Sequence, residues 1–342
     1  MSDVWGFPRG GRTTTPTAAL QVVIGLQPLH LQIQQEATYA RVARARSSSN
    51  FFTVVFSPTN YESKSSEIHI YPPNFLLHNQ ISFAENYIDS GAKAIYTDGS
   101  KTDESTGSAY CILENYGITA SWQGKLDRSN WVFQAEILAI RIAIEAASYL
   151  HRPIKIWTDS LSSLMAILNP KSHHGRVREI QTLLLSLKHI HLRWLKAHVG
   201  YLGNECADQL AKEAITKGDT FLLPKTLSYL KAEIKSAALS IWQDNWVNGE
   251  TGRSTHDIVP SVSNKPVGWN REEIMFVTGH GPFPSYLHRF NLRAHDNCSC
   301  GEEGDPMQYA TKCRFTLSWH FETPSVSLKL QWLKNILTHN LS

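Results

Sequence analysis

Two short apolar runs in the middle of the chain each stop at an acid. Ala94-Ile95-Tyr96-Thr97 runs into Asp98-Gly99-Ser100, and Ile154-Lys155-Ile156-Trp157 runs into Thr158-Asp159-Ser160. Runs this short, rich in β-branched and aromatic residues and bounded by turn formers, read as buried strands. Residues 108–113 and 118–125 are two further strand-like runs, joined across Asn115-Tyr116-Gly117, a hairpin signal. From Val132 to Leu150 the period changes: Phe133, Ile137, Ile140, Ile144 and Ala147 recur at helical spacing until His151-Arg152-Pro153 stops them. Residues 161–168 and 177–187 read as helices, 190–195 as a strand, and Asn204 as the cap of a last helix ending near Lys217-Gly218. The order βββαβ(αα)βα predicts an α/β domain, a five-stranded mixed sheet with helices on both faces, over residues 91–218.

The flanks are less patterned and mostly helical. Residues 1–16 read as a loose leader, 18–24 and 29–46 as a helix pair broken at Pro28, and 47–90 as a linker with a strand-like 51–56. In 219–342, an amphipathic run over 227–246 precedes a region without clear period, and 325–342 reads as a terminal helix. The length of 342 residues and the 42% hydrophobic content suit about two packed domains and exclude a disordered or fibrous chain. No apolar stretch long enough to span a membrane and no secretory signal are visible, and five cysteines do not make a disulfide scaffold; an intracellular, reduced protein without a membrane partner is expected. The net charge of +3 sits entirely in 91–218, which carries 15 basic against 12 acidic side chains, while the flanks balance at 6 against 6 and 12 against 12. That is a weak field for nucleic acid, and on charge alone a plain solvated surface explains it equally well.

Four acids stand at element ends. Asp98 and Asp159 follow strands, where ligands of open α/β sheets bind. Glu136 lies one turn into the first long helix beside its apolar stripe, and Asp208 in the first turn of the last helix, after the Asn204 cap. Each alone has an ordinary reading: an Asx turn, a solvated helical Glu, an acid favouring its helix dipole. Together, converging carboxylates suit hard cations such as Mg²⁺, two of which can clamp the attacking and leaving oxygens of a phosphodiester.

Tyr96-Thr97-Asp98-Gly99-Ser100, Gln134-Ala135-Glu136-Ile137-Leu138-Ala139, Thr158-Asp159-Ser160 and the stretch His198-Val199-Gly200-Tyr201-Leu202-Gly203-Asn204-Glu205-Cys206-Ala207-Asp208 resemble, in order, the motifs of type 1 ribonuclease H. The resemblance covers about residues 91–218. It implies a ribonuclease H-like fold with Asp98, Glu136, Asp159 and Asp208 as ligands of two Mg²⁺ ions, Mn²⁺ being able to substitute. It implies hydrolysis of the RNA strand of an RNA/DNA hybrid, leaving 3′-hydroxyl and 5′-phosphate ends. His198 falls where the family has a mobile histidine that assists turnover and product release; standing alone it would be an ordinary surface or core histidine. Gly99, Ser100, Asn130 and Gln134 occupy places comparable to the family's contacts to the hybrid and its 2′-hydroxyls, although Asn130 could equally be a helix N-cap. The basic helix-loop extension of some members does not fit between Asn169 and Val199, as in the short forms found in retroelements.

Arg12–Leu20 with Gly25-Leu26-Gln27-Pro28-Leu29 resembles the end of the reverse-transcriptase region of arthropod non-LTR retrotransposon polyproteins. Residues 1–90 are therefore expected to be a remnant of that region plus a linker. No Ala-Asp-Asp signature occurs, so no polymerase activity is expected; a truncated reading frame or polyprotein fragment is implied, with the parent element's reverse transcriptase as a partner. In the helical C-terminal region 219–342, Cys298, Cys300 and Cys313 resemble a terminal cysteine cluster. With a histidine they could hold Zn²⁺. The resembling pattern has a histidine five residues before the last cysteine, where Gln308 stands here; His295 or His320 lacks the usual spacing, and a degraded cluster of free thiols is the other reading. Cys111 and Cys206 read as buried small apolar residues. Three competitors stand beside an active nuclease: a ribonuclease H-like nucleic-acid-binding remnant that has lost catalysis, a transposase or integrase, whose Asp-Asp-Glu order differs from Asp-Glu-Asp-Asp, and nucleic-acid binding through residues 298–313.

Overall fold

The computed structural model describes residues 16–63, 68, 70, 75–84, 91–150, 152–317, 321–325 and 328–338. The expected leader before Pro16 and the alternative ligand His320 lie outside the described residues. The elements in chain order are α1 (Thr17–Ile24), α2 (Leu29–Tyr39), a π-helical turn (Ala40–Arg44), β1 (Ser49–Phe51), β2 (Val54–Phe56), β3 (Ile81–Ser82), β4 (Ala94–Lys101), β5 (Ser105–Glu114), β6 (Gly117–Asp127), α3 (Val132–Ser148), β7 (Ile154–Thr158), α4 (Leu161–Leu168), α5 (Gly175–Ser186), β8 (Ile190–Trp194), α6 (Leu202–Lys217), β9 (Asp219–Thr220), α7 (Leu227–Asn248), α8 (Arg253–Ile258), α9 (Arg271–Thr278), α10 (Pro284–Arg289), α11 (Pro306–Thr311) and α12 (Lys329–Thr338). The chain divides into two compact units, Ala37–Ile234 and Met1–Glu36 with Lys235–Ser342.

In the first unit the five expected strands form the centre of a mixed sheet. Its order is β3-β8-β7-β4-β5-β6-β9. The meander β4-β5-β6 is antiparallel, and β7, β8 and β3 add in parallel beside β4. The two-residue strands β3 and β9 lengthen the expected five to seven among the described residues. The β5–β6 turn is tighter than the expected three-residue link: Glu114 pairs with Gly117, and Asn115 and Tyr116 take φ of 50° and 65°. Positive φ at both central residues matches the strand twist of a two-residue hairpin.

Strand alternation distributes the core to two faces. Ile95 and Ile156 join Ile137, Ile140, Ile144, Leu164, Ile167, Val177, Ile180 and Leu184 beneath α3, α4 and α5. Ala94, Tyr96, Cys111 and Trp157 pack with Leu195 and Ala207 at α6 on the other. Each fully buried Ile or Leu contributes about 1.5–3 kcal/mol relative to exposure. α6 can lie close to the sheet because Gly107 has no side chain: a Cβ there would stand 1.9 Å from the Ala211 carbonyl oxygen.

The second unit has its own core, Ala19, Val22, Leu31, Trp242, Trp246 and Val262. The region read as aperiodic contains the short helices α8 to α11, too brief to show a sequence period. No helix among the described residues is long and apolar enough to cross a membrane.

Candidate active site

The site grows from the end of β4. Asp98 is 6% exposed, and its Oδ1 accepts the Gly99 N–H at 2.7 Å. Gly99 lets α3 approach this strand end: a Cβ there would lie 3.0 Å from both the Ala135 Cβ and the Glu136 nitrogen, and 3.2 Å from the Glu136 Cγ. Glu136, 5% exposed in the second turn of α3, is thereby brought beside Asp98. β7 lies parallel to β4 in register Thr97↔Thr158, so the next residue, Asp159, emerges next to Asp98. Carboxylate oxygens of Asp98, Glu136 and Asp159 all lie within 4.8 Å of one another.

Burial and mutual repulsion oppose charge at this cluster. Burial, then the Asp159 charge, pushes the Asp98 carboxyl up to about 7, against the pull of the Gly99 N–H. Burial, then the Asp98 charge, holds Glu136 well above the usual carboxylate range. Asp159 is raised by burial and restrained by a hydrogen bond from Asn204 and by His198. The Oε2 of Glu136 is buried without a hydrogen-bond partner. Three crowded oxygen donors with an orphaned buried oxygen fit a hard divalent cation, which would replace the missing partners and favour the charged forms.

Asp208 does not complete that trio. Its oxygens group instead with His198 and Glu205, again within 4.8 Å, and its Oδ2 accepts from Lys212 at 2.6 Å. Its charge still acts on Asp98 and Asp159, so the two groups are neighbours. Glu205 stands outside the expected set of ligands. Its three-residue spacing from Asp208 on one helix face is the signal that could have found it. His198 is exposed at φ 54°, and Gly200 follows at φ 84° with open space around it. The expected loop before α6 is thus present.

Asn204 departs from its expected role as a cap. α6 begins at Leu202 with Tyr201 at the N-cap position. Asn204, 1% exposed, donates its Nδ2 to the Asp159 Oδ2 at 3.3 Å. Helix geometry turns a residue of the first turn inward here, so the short amide serves the acid and not the backbone.

The expected substrate contacts separate into two kinds. Gly99 and Ser100 lie half-buried at the end of β4, beside the acids. Asn130 is fully buried and Gln134 is 4% exposed. Asn130 is not the N-cap of α3, since Trp131 holds that position. Its Nδ2 donates to the Gln134 Oε1 at 3.1 Å, and the Gln134 Nε2 donates to the Glu62 Oε1 at 2.6 Å and the Pro224 carbonyl at 3.0 Å. Both amides are thus engaged within the protein, while the Asn130 Oδ1 is buried without a hydrogen-bond partner.

In the other unit, sulfurs of Cys298, Cys300 and Cys313 lie within 4.8 Å of one another. Cys298 and Cys313 are 3.7 Å apart, and the Gln308 Nε2 donates to the Cys300 Sγ at 2.9 Å. No histidine joins this group among the described residues. Cys111 is buried as expected; Cys206 is half-buried.

Residues 90–216 match the family model for RNase H. Over 179 residues the chain is 26% identical to the Retrovirus-related Pol polyprotein from type-1 retrotransposable element R1 of Popillia japonica, covering 50% of this chain and 71% of that protein. It is 31% identical over 96 residues to the R1 3 Pol polyprotein of Nasonia vitripennis, 27% of this chain and 24% of that one. It is 28% identical over 95 residues to the R1 Pol polyprotein of Bradysia coprophila, 27% of this chain and 10% of that one. The chain thus spans a minor part of the latter two proteins. Among solved structures, the foamy viral protease-reverse transcriptase in complex with RNA/DNA hybrid aligns with a TM-score of 0.33 at 22% identity, over 36% of this chain and 20% of that one. The middle segment is an RNase H domain of the kind carried by arthropod non-LTR retrotransposons.

Proposed function

We propose that the RNase H domain formed by residues 90–216 is an endonuclease that hydrolyses the RNA strand of RNA/DNA hybrids. The observation that carries this reading is the convergence of Asp98, Glu136 and Asp159, with the buried Glu136 Oε2 lacking a partner. A structural cluster of acids would be paired with cations or hydrogen-bonded throughout. This one is left crowded and raised in pKa, as a site awaiting metal ions is.

Asp98, Glu136 and Asp159 would hold one Mg²⁺, and Asp208, which acts electrostatically on Asp98 and Asp159, would join Asp98 in holding a second. Such ions, when bound, supply Lewis acidity at the phosphodiester and a water made nucleophilic at neutral pH. The chain's own groups do the rest. Asn204 fixes the Asp159 carboxylate by its hydrogen bond. Gly99 and Ser100 offer backbone and hydroxyl to the substrate at the strand end. His198, on its exposed loop, is placed to assist turnover and product departure. The hydrolysis balances as attack of one water oxygen on phosphorus with rupture of the P–O3′ bond; the departing oxygen takes a proton and becomes the 3′-hydroxyl, and the 5′-phosphate remains on the other fragment. Cleavage of a labelled RNA/DNA hybrid in Mg²⁺ by the native chain, and its loss in Asp98→Asn, tests this. Absence of cleavage in both would leave the catalytically silent binding remnant; equal cleavage in both would refute the acid assignment.

The cysteine cluster supports a second, separate reading, a zinc site in the other unit. Tetrahedral Zn²⁺ with Zn–S of about 2.3 Å sets sulfurs about 3.8 Å apart. The Cys298–Cys313 separation is 3.7 Å. Burial would raise the Cys298 thiol, but hydrogen bonds with Tyr309 and the Cys300 backbone overcome it and bring it down to about 7. Gln308, whose Oε1 is buried without a partner, would supply the fourth position. With part of each R1 polyprotein represented here, the reverse transcriptase of a parent element is the proposed partner of the chain.

A further inference from the structure

The first turn of α3 carries no side-chain cap from its N-cap residue, Trp131. Gln134 does that work from inside the helix. Its Oε1 accepts the Trp131 N–H at 3.0 Å, which ties the turn closed. Its Nε2 points away from the helix to the Glu62 Oε1 and the Pro224 carbonyl, at 2.6 and 3.0 Å. Neither acceptor belongs to residues 90–216, the segment that matches the family.

The two acceptors are themselves joined. Glu62 donates its N–H to the Lys225 carbonyl at 2.9 Å, and Lys225 donates its N–H to the Asn60 carbonyl at 2.8 Å, a parallel bridge between segments far apart in sequence. The Tyr61 hydroxyl donates to Glu233 at 2.7 Å, and the Lys225 Nζ binds the same carboxylate at 3.0 Å. Arg46 holds the Tyr61 carbonyl at 3.1 Å. Below this bridge, Phe221 and Leu223 pack on Leu126, Ala135 and Leu138. Glu62 also meets the His174 Nε2 at 3.2 Å, at the start of α5. Because the Ala135–Glu136 turn rests against Gly99, the seating of this first turn sets how Glu136 meets Asp98.

We propose that residues 60–62 and 221–226 form a clasp over the start of α3, and that Glu62, acting through Gln134, is a positioning residue for Glu136. The inference rests on the reading of Glu136 as a metal ligand. The two segments that flank the nuclease in sequence are then working parts of its site. A short retroelement-type domain, without a basic extension of its own, takes rigidity for its active-site helix from them.

The test uses the full chain with Glu62→Ala and Glu62→Gln. Amide exchange over residues 134–138 should rise roughly tenfold in Glu62→Ala, the scale of one lost charge-assisted hydrogen bond, with β4 and β7 amides unchanged. Half-saturation by Mg²⁺ in calorimetry should rise several-fold in the same variant. Glu62→Gln keeps a neutral acceptor oxygen for the Gln134 amide and should recover part of both readouts. Unchanged exchange and Mg²⁺ titration in Glu62→Ala, or a Glu62→Gln as impaired as Glu62→Ala, overturns the proposal. If the native chain neither binds Mg²⁺ nor cleaves hybrid, the nuclease reading fails, and the exchange arm still decides whether the clasp holds the turn.

Discussion

Removing one charge from the acidic cluster should stabilise the metal-free protein. Asp98→Asn keeps the shape and the acceptor for the Gly99 N–H while deleting the buried negative charge. The Asp98 carboxyl stands at about 7 in the fold against 3.8 for the free group, chiefly through burial and next through Asp159. A raised folded-state pKa means the folded chain holds the proton more tightly than the unfolded one. The stability so gained is complete below pH 3.8 and lost as pH rises through about 7. At about 1.36 kcal/mol per pH unit, the loss amounts to roughly 1 kcal/mol at pH 4.5 and roughly 4 kcal/mol at pH 8. The Asn variant does not incur it. Urea unfolding in chelator at the two pH values, read on the Ala37–Ile234 unit, should show Asp98→Asn ahead by those amounts. Millimolar Mg²⁺ should then narrow the gap by stabilising only the native chain. A difference that is absent at pH 8, or equal at both pH values, would refute the claim that the cluster is electrostatically strained.

Gly107→Ala places a Cβ 1.9 Å from the Ala211 carbonyl oxygen, so α6 must shift; a loss of about 2–3 kcal/mol in urea unfolding is expected, and an unchanged midpoint would show that α6 is not seated as described. Freshly purified, reduced protein should carry one zinc per chain by elemental mass spectrometry, lost in Cys313→Ser, kept in Cys111→Ser and bound more tightly in Gln308→His; folded protein without stoichiometric zinc sinks that reading. Asn204→Ala should raise the Mg²⁺ concentration needed for half-maximal cleavage several-fold, because the Asp159 carboxylate loses its fixed donor; an unaltered Mg²⁺ dependence contradicts that role.

The meeting of Asp98, Glu136 and Asp159 was legible because their signals are local: apolar strand, acid, small residue, twice, with a helical glutamate between. The same locality made the central strands and α3 readable, since strand and helix periods differ within a few residues. The misread cap depends on a neighbour remote in sequence. Asn204 has the composition of a cap, and only the arrival of Asp159 beside α6 gives its amide a better partner. The bond of Gln134 to Glu62 and Pro224 is likewise invisible in the sequence, because those acceptors come from segments remote from α3. The strands β3 and β9, two residues each, are too short to carry an alternation and exist because β8 and β6 present open edges. The meeting of Cys298 with Cys313 is likewise a tertiary fact, although the spacing of the cysteines hinted at it.

The buried acid cluster is proposed to cleave RNA only when it is paired with DNA. The direct measurement uses one 5′-labelled RNA presented to the full chain in Mg²⁺ as a single strand, as an RNA duplex and as an RNA/DNA hybrid, alongside Glu136→Gln. Only the hybrid should be cleaved, into fragments ending in 3′-hydroxyls, and Glu136→Gln should give no detectable product. Cleavage of all three substrates, of none by folded protein, or of the hybrid equally by Glu136→Gln would contradict this proposal.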